Sequence, residues 1–577
     1  MANIENVNNL SQVLDQVSGQ NVENRLTRLA SIGGQRIEGN SEQSLRYSVS
    51  RLALSNEDAE ARKFLEEKMS EAGMLVSQET FATIGYYEGT NPDLKPILII
   101  SHHDSVPKGG MYDGTVGVNA GIEIVDILSR NQIRLPHPIV VVSFTEEESA
   151  RFNTGLGGSR ASTQGLTDAE LDQTDQKGIS KRTALENLGF NPERSKIPLS
   201  LFDNALASLE LHVEQNTRLA DSGTELGIVT AIAAPTRYKI NIERPINQSS
   251  RESKDKDNSV YLNIDVAGRP GHSGATPMTP GVRADALVTQ SEILIHLNAL
   301  QNKYANTQIH VGNLELNEGA SINKIPGSSH LSLRLEGDDS KKIIQDIQAY
   351  IERRNQQLVK ESYSTENPIT LEKFFDQPNS YQNETNLRSF SAAAYFIKAV
   401  QATASIHREQ DTVGTVGTFS ISENGRITLG IDLRGINKTD RDTAALKIDE
   451  IREKLLQSSK VTGGLNISSI KEEIAGSSGN PTLMDDLLVN ISQEVLEQNN
   501  ICSFVLTFSP AGHDSQNVSR TGIPTVMFFI PSRNKGIAHH QDEFSTQKDL
   551  ENGTKALMAM VYKLASLSNN DLSQATA

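Results

Sequence analysis

The stretch Pro96–Phe152, PILIISHHDSVPKGGMYDGTVGVNAGIEIVDILSRNQIRLPHPIVVVSFTEEESARF, decides the fold. Its two apolar runs, Pro96–Ile100 and Pro138–Phe144, are continuous rather than alternating, as expected for strands buried on both faces of a sheet. Between them, Gly117–Ser129 reads as a helix. Strand, helix and strand in this order mark an α/β architecture. Each strand end is followed by groups able to hold a metal: SHHD (Ser101–Asp104) after the first and TEEE (Thr145–Glu148) after the second. MYDG (Met111–Gly114) lies in the Gly-rich turn between. Open α/β sheets hold their ligands at the carboxyl ends of their strands.

Working outward, residues 22–75 read as helical around a polar loop near 33–42. Asn56–Gly73 carries a capping Asn, an acidic first turn and a Gly stop. From about residue 233 the texture changes to half-exposed strands at Tyr238–Glu243 and Tyr261–Val266, separated by a polar excursion, RPINQSSRESKDKDN. Helix Val282–Leu300, strands Gln308–Leu316 and Leu331–Leu335, and helix Ser340–Lys360 then give a split βαβ order. The order recurs as helix Asn383–Ala404, strands Gly414–Ile421 and Arg426–Leu433, and helix Asp440–Ser458. HLSLRLEG (His330–Gly337) parallels ITLGIDLRG (Ile427–Gly435). The expected organisation is a catalytic domain with a mixed central sheet flanked by helices, formed by 1–232 and 475–577. It is interrupted by an α+β lid, 233–474, with two similar halves at about 233–375 and 376–474. A single lid with a long helical insertion is the simpler alternative. A helix at Leu483–Glu497, a buried strand at Pro524–Pro531, a closing helix at Leu550–Ala565 and a frayed polar tail complete the chain.

With 577 residues, two or more domains are expected. A net charge of −17 argues against nucleic acid as a partner, because phosphates need a basic surface. Apolar runs are strand-sized, far short of a bilayer span. There is one cysteine, Cys502, and no basic-then-apolar leader at the N-terminus. The expectation is a cytoplasmic protein acting on a small molecule, with no membrane partner.

Five dispersed segments, the three above with ELH (Glu210–His212) and AHH (Ala538–His540), supply imidazoles and carboxylates in the mix that suits zinc or manganese. His102 and Asp104, two apart after a strand, project to one side, so that His102 can bind metal while Asp104 orients something nearby. Asp113 suits a bridge between two ions. Three adjacent carboxylates, Glu146, Glu147 and Glu148, repel one another unless cations neutralise them. One can bind metal while its neighbour serves as general base. Each feature alone has an ordinary reading: a surface His-x-Asp, a solvated acidic face, a polar His pair. Their shared position at strand ends and Gly-rich turns makes the joint case.

The ordered segments RLALSNEDAEAR (Arg51–Arg62), ILIISHHDSVPKGGMYDGTVGVNAG, SFTEEESARF and SLELHVEQN, and later GHSGATPM, EGASINKIPG, AGHDSQ and GIAHHQDEFS, resemble one family. It is the N-carbamoyl-L-amino-acid hydrolase, allantoate amidohydrolase and beta-ureidopropionase family, within the aminoacylase and dipeptidase-like metallohydrolases. The resemblance implies a zinc-peptidase-like catalytic domain with two divalent ions, zinc or manganese, with cobalt possible. His102, Asp113 and His212 would hold one ion, and Asp113, Glu148 and His539 the other. Glu147 would be the general base toward a water bridging the metals, with Asp104 orienting His102. His272, in GHSG, would stabilise the oxyanion. Gln215 and Asn323 match substrate-contacting positions. The family's lid reads D-x-R where its Arg anchors a substrate carboxylate; here Arg334 and Glu336 reverse the signs, whereas Asp432 and Arg434 keep them, so Arg434 is the expected anchor. Pro235–Tyr238 (PTRY) and Ser149, in place of the family's Gly, are further departures.

In typical members the lid pairs with a partner's lid. A duplicated lid would imitate that within one chain, giving a monomer with His272 acting in cis; an ordinary homodimer is the alternative. His513 in AGHDSQ is expected to support the site rather than bind metal. The resulting expectation is an amidohydrolase of linear C–N bonds, an N-carbamoyl amino acid or allantoate being the substrate type. A dipeptidase, aminopeptidase or aminoacylase on the same metals and a non-catalytic binding protein are the competing readings.

Overall fold

The computed structural model describes residues 10–38, 46–152, 154–243, 259–278, 282–316, 320–361, 367–374, 385–406, 412–422, 424–457, 465–472 and 480–567. The excursion between Tyr238–Glu243 and Tyr261–Val266, residues 39–42 of the polar loop near 33–42, the C-terminal tail and His407 lie largely or wholly outside them. The chain forms two compact units: Met1–Ala234 with Asn480–Ala577, and Pro235–Gly479. Among the described residues no helix is long and apolar enough to cross a membrane.

The first unit is built on a nine-stranded mixed sheet. Four parallel strands form its centre in the order Thr525–Ile530, Ala207–Val213, Ile97–His102, Ile139–Phe144. Every residue of these four strands is buried, which explains their unbroken apolar composition. Antiparallel strands flank them: Leu226–Ile232 on one side, Ala82–Tyr87 and Leu75–Gln78 on the other. Helices Gly19–Ala30, Thr115–Arg130, Asp486–Gln498 and Gln547–Ala565 pack into the same apolar core.

Two local expectations are corrected. The segment 22–75 is not helical throughout: a two-stranded hairpin, Gly34–Ile37 with Arg46–Val49, separates helix Gly19–Ala30 from helix Asn56–Glu71. The cap of the second helix is Ser55, whose side chain accepts from the Asp58 amide, and not Asn56.

The second unit contains two sheets. One runs Ile369–Phe374, Ser259–Ala267, Ser328–Gly337, Thr307–Leu316, Thr385–Asn386; the other runs Val413–Ile421, Ile427–Gly435, Ala234–Glu243, Asn466–Glu472. Numbered by chain position within each repeat, the four long strands of both sheets lie in the spatial order fourth, first, third, second. In each repeat one helix joins the first strand to the second and another joins the third to the fourth: Ala286–Lys303 and Ser340–Lys360, then Leu387–Ile406 and Lys438–Gln457. Both second strands carry a bulge at the same place, between Val311 and Asn313 and between Val416 and Thr418. The expected tandem division at about residue 375 is therefore corrected to a nested one. Strand Ala234–Glu243 belongs to the second sheet, and the first repeat is inserted between that strand and helix Leu387–Ile406. Nothing local in strand 234–243 specifies a partner almost two hundred residues away; the pairing is set by the sheet that needs a fourth strand.

Candidate metal centre

The four parallel strands end together, and their carboxyl ends carry the donors. His102 is the last residue of its strand, Glu147 and Glu148 follow Phe144, His212 is next to last in Ala207–Val213, and His539 lies beyond Ile530. Asp113 precedes helix Thr115–Arg130. Gly114 between them has φ 68°, and a Cβ there would lie 2.2 Å from His102 Nε2, so only glycine lets the turn close against that ring.

These donors converge on Asp113. Its Oδ1 is 3.1 Å from His212 Nε2 and 3.9 Å from His102 Nε2, and its Oδ2 is 3.4 Å from His539 Nε2. His539 Nε2 is 3.2 Å from Glu148 Oε2, and His102 Nε2 is 3.8 Å from Glu147 Oε2. Two donor triads result, His102–Asp113–His212 and Asp113–Glu148–His539, each with its ligand atoms within 4.8 Å of one another. A third, Glu210–His212–His513, shares His212. It is held by protein groups: Glu210 Oε2 accepts from the Ser515 amide and hydroxyl, and His513 Nε2 bonds Ser509 Oγ. The edge-on contact of the His513 and His212 rings, 4.5 Å between centroids, gives His513 a supporting place.

The surrounding groups fix the donors. Asp104 lies 3.5 Å from His102 Nδ1, and its two oxygens accept from the Glu147 and Glu148 amides at 3.1 and 3.3 Å. It thus links the imidazole to the loop bearing the carboxylates. His212 Nδ1 faces the Val213 carbonyl at 2.9 Å, which directs Nε2 toward Asp113. Gln215 Nε2 donates to Asp113 Oδ2 at 2.7 Å. Glu543 was not singled out in the sequence; its Oε2 accepts from the Tyr112 and Asp113 amides, both at 3.0 Å. The quoted GIAHHQDEFS contains it, but only the fold shows that it grips the Asp113 turn.

Glu146 is turned out of the cluster. Its carboxylate meets Lys181 Nζ at 2.6 Å, and Lys181, fully buried, also donates to Thr154 Oγ1 at 2.6 Å. The backbone of Glu146 is left-handed, φ 65°, which lets residue 146 face away while 147 and 148 face inward. Ser149, Gln215 and His539 are also left-handed. Such strained positions collect at sites the rest of the fold over-determines.

The electrostatics ask for cations. Burial, and then Asp514, Asp104 and Asp113, push the Glu147 carboxyl well above the ordinary range, with His102 opposing. Burial, Asp113 and Glu147 do the same to Glu148. Burial chiefly raises Asp514 to about 7 and Glu543 to about 8. Asp113 goes the other way: burial opposes its ionisation, but His212, His539 and His102 outweigh it. His102 Nε2, buried and without a hydrogen-bond partner, points into this group. The imidazole and carboxylate set, largely buried and rich in anionic groups, fits two divalent ions.

The remaining expected residues lie in the second unit. Strand Gly271–His272 pairs with Lys324–Ile325, and the Ser273 amide donates to the Asn323 carbonyl at 2.8 Å, which brings His272 and Asn323 together. His272 Nδ1 accepts from the Gly274 and Ala275 amides at 3.2 and 2.9 Å. The proton of its neutral ring is therefore on Nε2, as a donor. Arg434 Nε donates to Asp432 Oδ2 at 2.9 Å. The equivalent pair in the other repeat is reversed in sign: Arg334 bonds Glu336 at 2.8 Å.

The family model for Peptidase family M20/M25/M40 matches residues 98–563. An N-carbamoyl-L-amino acid amidohydrolase of Geobacillus stearothermophilus is 33% identical over 311 residues, 54% of this chain and 67% of its own. A ureidoglycolate hydrolase of Arabidopsis thaliana is 25% identical over 525 residues, covering 90% of this chain and 82% of its own. Among solved structures, an amidase of the hydantoinase/carbamoylase family from Burkholderia multivorans superposes with a TM-score of 0.55 at 21% identity, over 96% of this chain and 99% of its own.

Proposed function

We propose that this chain, which belongs to the Peptidase family M20/M25/M40, is a hydrolase of linear amides and ureides whose substrate is an N-carbamoyl amino acid or a related ureide. The observation that carries this reading is the pair of donor triads sharing Asp113, with Glu147 beside them. The N-carbamoyl-L-amino acid amidohydrolase and ureidoglycolate hydrolase among its relatives support the substrate class.

In this reading His102, Asp113 and His212 hold one divalent ion, and Asp113, Glu148 and His539 the other. When bound, the ions supply positive charge that acidifies water and polarises a carbonyl. Glu147 takes a proton from the attacking water as its oxygen bonds the ureido carbon, and then delivers a proton to the leaving nitrogen as the C–N bond breaks. Its carboxyl, raised by burial and by Asp514, Asp104 and Asp113 against His102, holds a proton more readily than an ordinary carboxylate, as suits a group that must both accept and return one. Asp104 keeps the Glu147 amide and the His102 ring in register. His272, as an Nε2–H donor, stabilises the developing oxyanion. With an N-carbamoyl amino acid the products are the amino acid, ammonia and carbon dioxide.

The two nested repeats favour His272 acting within its own chain. Ser273, its neighbour, donates to Asp432 at 2.6 Å, so the first repeat's His272 turn already docks on the second repeat's Asp432–Arg434 strand. Mixing His272→Ala with Glu147→Ala protein tests this: no activity returns if His272 acts in cis, whereas recovery shows exchange between subunits.

The deciding experiment measures metal content and ammonia release with N-carbamoyl amino acids, allantoate and dipeptides. Glu147→Gln retains the metals and loses about 100- to 10,000-fold in turnover. Turnover of dipeptides alone replaces this reading with the peptidase one, and loss of metal in Glu147→Gln reassigns that residue as a ligand.

A further inference from the structure

Lys181 stands outside the chemistry above, yet it touches the loop that carries Glu147 and Glu148 at three places. Its Nζ lies 2.6 Å from Glu146 Oε1, where the loop begins, and donates to Thr154 Oγ1 at 2.6 Å, where the chain returns. Between these points the ammonium sits 5.5 Å from the centre of the buried Phe152 ring. The side chains of Lys181 and Glu146 are both buried. Lys181 is itself held in place. It opens helix Lys181–Asn187, which Ser180 caps, and its amide donates to the Gln173 carbonyl at 3.0 Å.

The loop closes on itself: the Leu156 amide donates to the Glu147 carbonyl at 2.9 Å, and the Gly157 amide to the Glu146 carbonyl at 2.7 Å. Closure does not set where the three carboxylates point. In an extended chain side chains alternate, so 147 would face away from 146 and 148. The left-handed Glu146 breaks that alternation, and 147 and 148 both reach the donor cluster. A residue with a Cβ takes this conformation at a cost and keeps it only where its surroundings hold it. Here they form a fitted cradle for the Glu146 carboxylate. Lys181 Nζ and Thr154 Oγ1 lie 2.6 and 3.3 Å from Oε1, and a Cβ on Gly157 would lie 2.2 Å from Oε2.

We infer that Lys181 is a positioning residue. By anchoring the Glu146 carboxylate on the far side of the loop, it aims Glu147 and Glu148 into the donor cluster. That Glu147 is thereby placed as a base rests on the amidohydrolase reading; that Glu148 is placed 3.2 Å from His539 does not. A strut that only stabilised the fold would be replaced fully by any matched neutral pair. An anchor would not, because such a pair removes the unmatched charge without restoring the grip.

The test is Lys181→Met combined with Glu146→Gln, which removes both charges together. At saturating zinc, kcat for N-carbamoylglycine should fall about 10- to 100-fold with KM within about 2-fold, because Glu147 is misdirected while the substrate contacts are kept. In a zinc titration against a chromophoric chelator, one of the two ions should bind at least about 10-fold more weakly. Wild-type kcat in the zinc-saturated double variant overturns the inference. Should that variant fail to fold, Thr154→Val takes its place, since it keeps both charges and the shape of the side chain. A kcat lower by about 2- to 10-fold then sustains the anchor, and an unchanged kcat overturns it. If wild type hydrolyses no ureide, the amidohydrolase reading fails and the zinc titration of the same variants decides. Weaker binding of one ion sustains the inference, and wild-type affinity for both overturns it.

Discussion

The cluster around Asp113 and the cluster around Asp432 are both buried, and both are organised by one carboxylate that touches several partners. Their charge balance differs. Around Asp113 three imidazoles face Asp113, Glu147 and Glu148, with Asp514 and Glu543 close behind. Around Asp432 two guanidiniums share one acid. A fold can bury charge cheaply only when it is matched, so the first cluster, rich in acids, calls for cations. The two repeats differ in the same respect on identical topology. Arg334 pairs with Glu336, whereas Asp432 serves both Arg434 and Arg237.

The sharpest way to break this contrast is to unbalance the carboxylate cluster further. Lys181 removes Glu146 from it. Lys181→Met leaves Glu146 buried without its cation, and should destabilise the first unit by about 3–5 kcal/mol, read as a lowered thermal melting temperature. Glu146→Gln added to Lys181→Met should recover much of that loss. If the single and double variants melt alike, the pair does not insulate the cluster.

Next in size is the comparison between repeats. Arg434→Ala should raise KM for a carboxylate-bearing ureide by about 10- to 100-fold, from the loss of charged hydrogen bonds. Arg334→Ala should leave KM within about 2-fold. Equal effects would show that the reversed signs at the two positions carry no functional meaning.

Much of this was legible in sequence because it is local. PILII and PIVVVSF read as doubly buried strands, and the donors His102, Glu147 and Glu148 lie at or just past their ends. What was not legible is long-range. A run of three glutamates does not say which one turns away; Lys181, thirty-five positions on, and a left-handed Glu146 decide it. The nesting of the repeats depends on strand 234–243 pairing across an inserted repeat, and ELH (Glu210–His212) carries a donor histidine without a strand signal of its own, although all of Ala207–Val213 forms a central strand. Glu543 grips amides 430 positions away, a contact no spacing rule anticipates.

The smallest expected effect is in protons. Without metal, Glu147 and Glu148 are held well above the ordinary carboxylate range, Asp514 at about 7 and Glu543 at about 8. Raised pKa values favour the protonated forms of these groups relative to ordinary carboxylates, and added cations favour the ionised forms. Metal loading at pH 7 should therefore release protons, seen as a binding enthalpy that changes with the ionisation enthalpy of the buffer. An enthalpy independent of buffer contradicts the anionic description of the cluster.

The most direct measurement is metal stoichiometry by elemental analysis of the dialysed protein and of Asp113→Ala. Because Asp113 belongs to both triads, wild type should retain two divalent ions per chain and Asp113→Ala neither. Wild-type protein that takes up no divalent ion, or Asp113→Ala protein that keeps two, would contradict the shared-carboxylate centre.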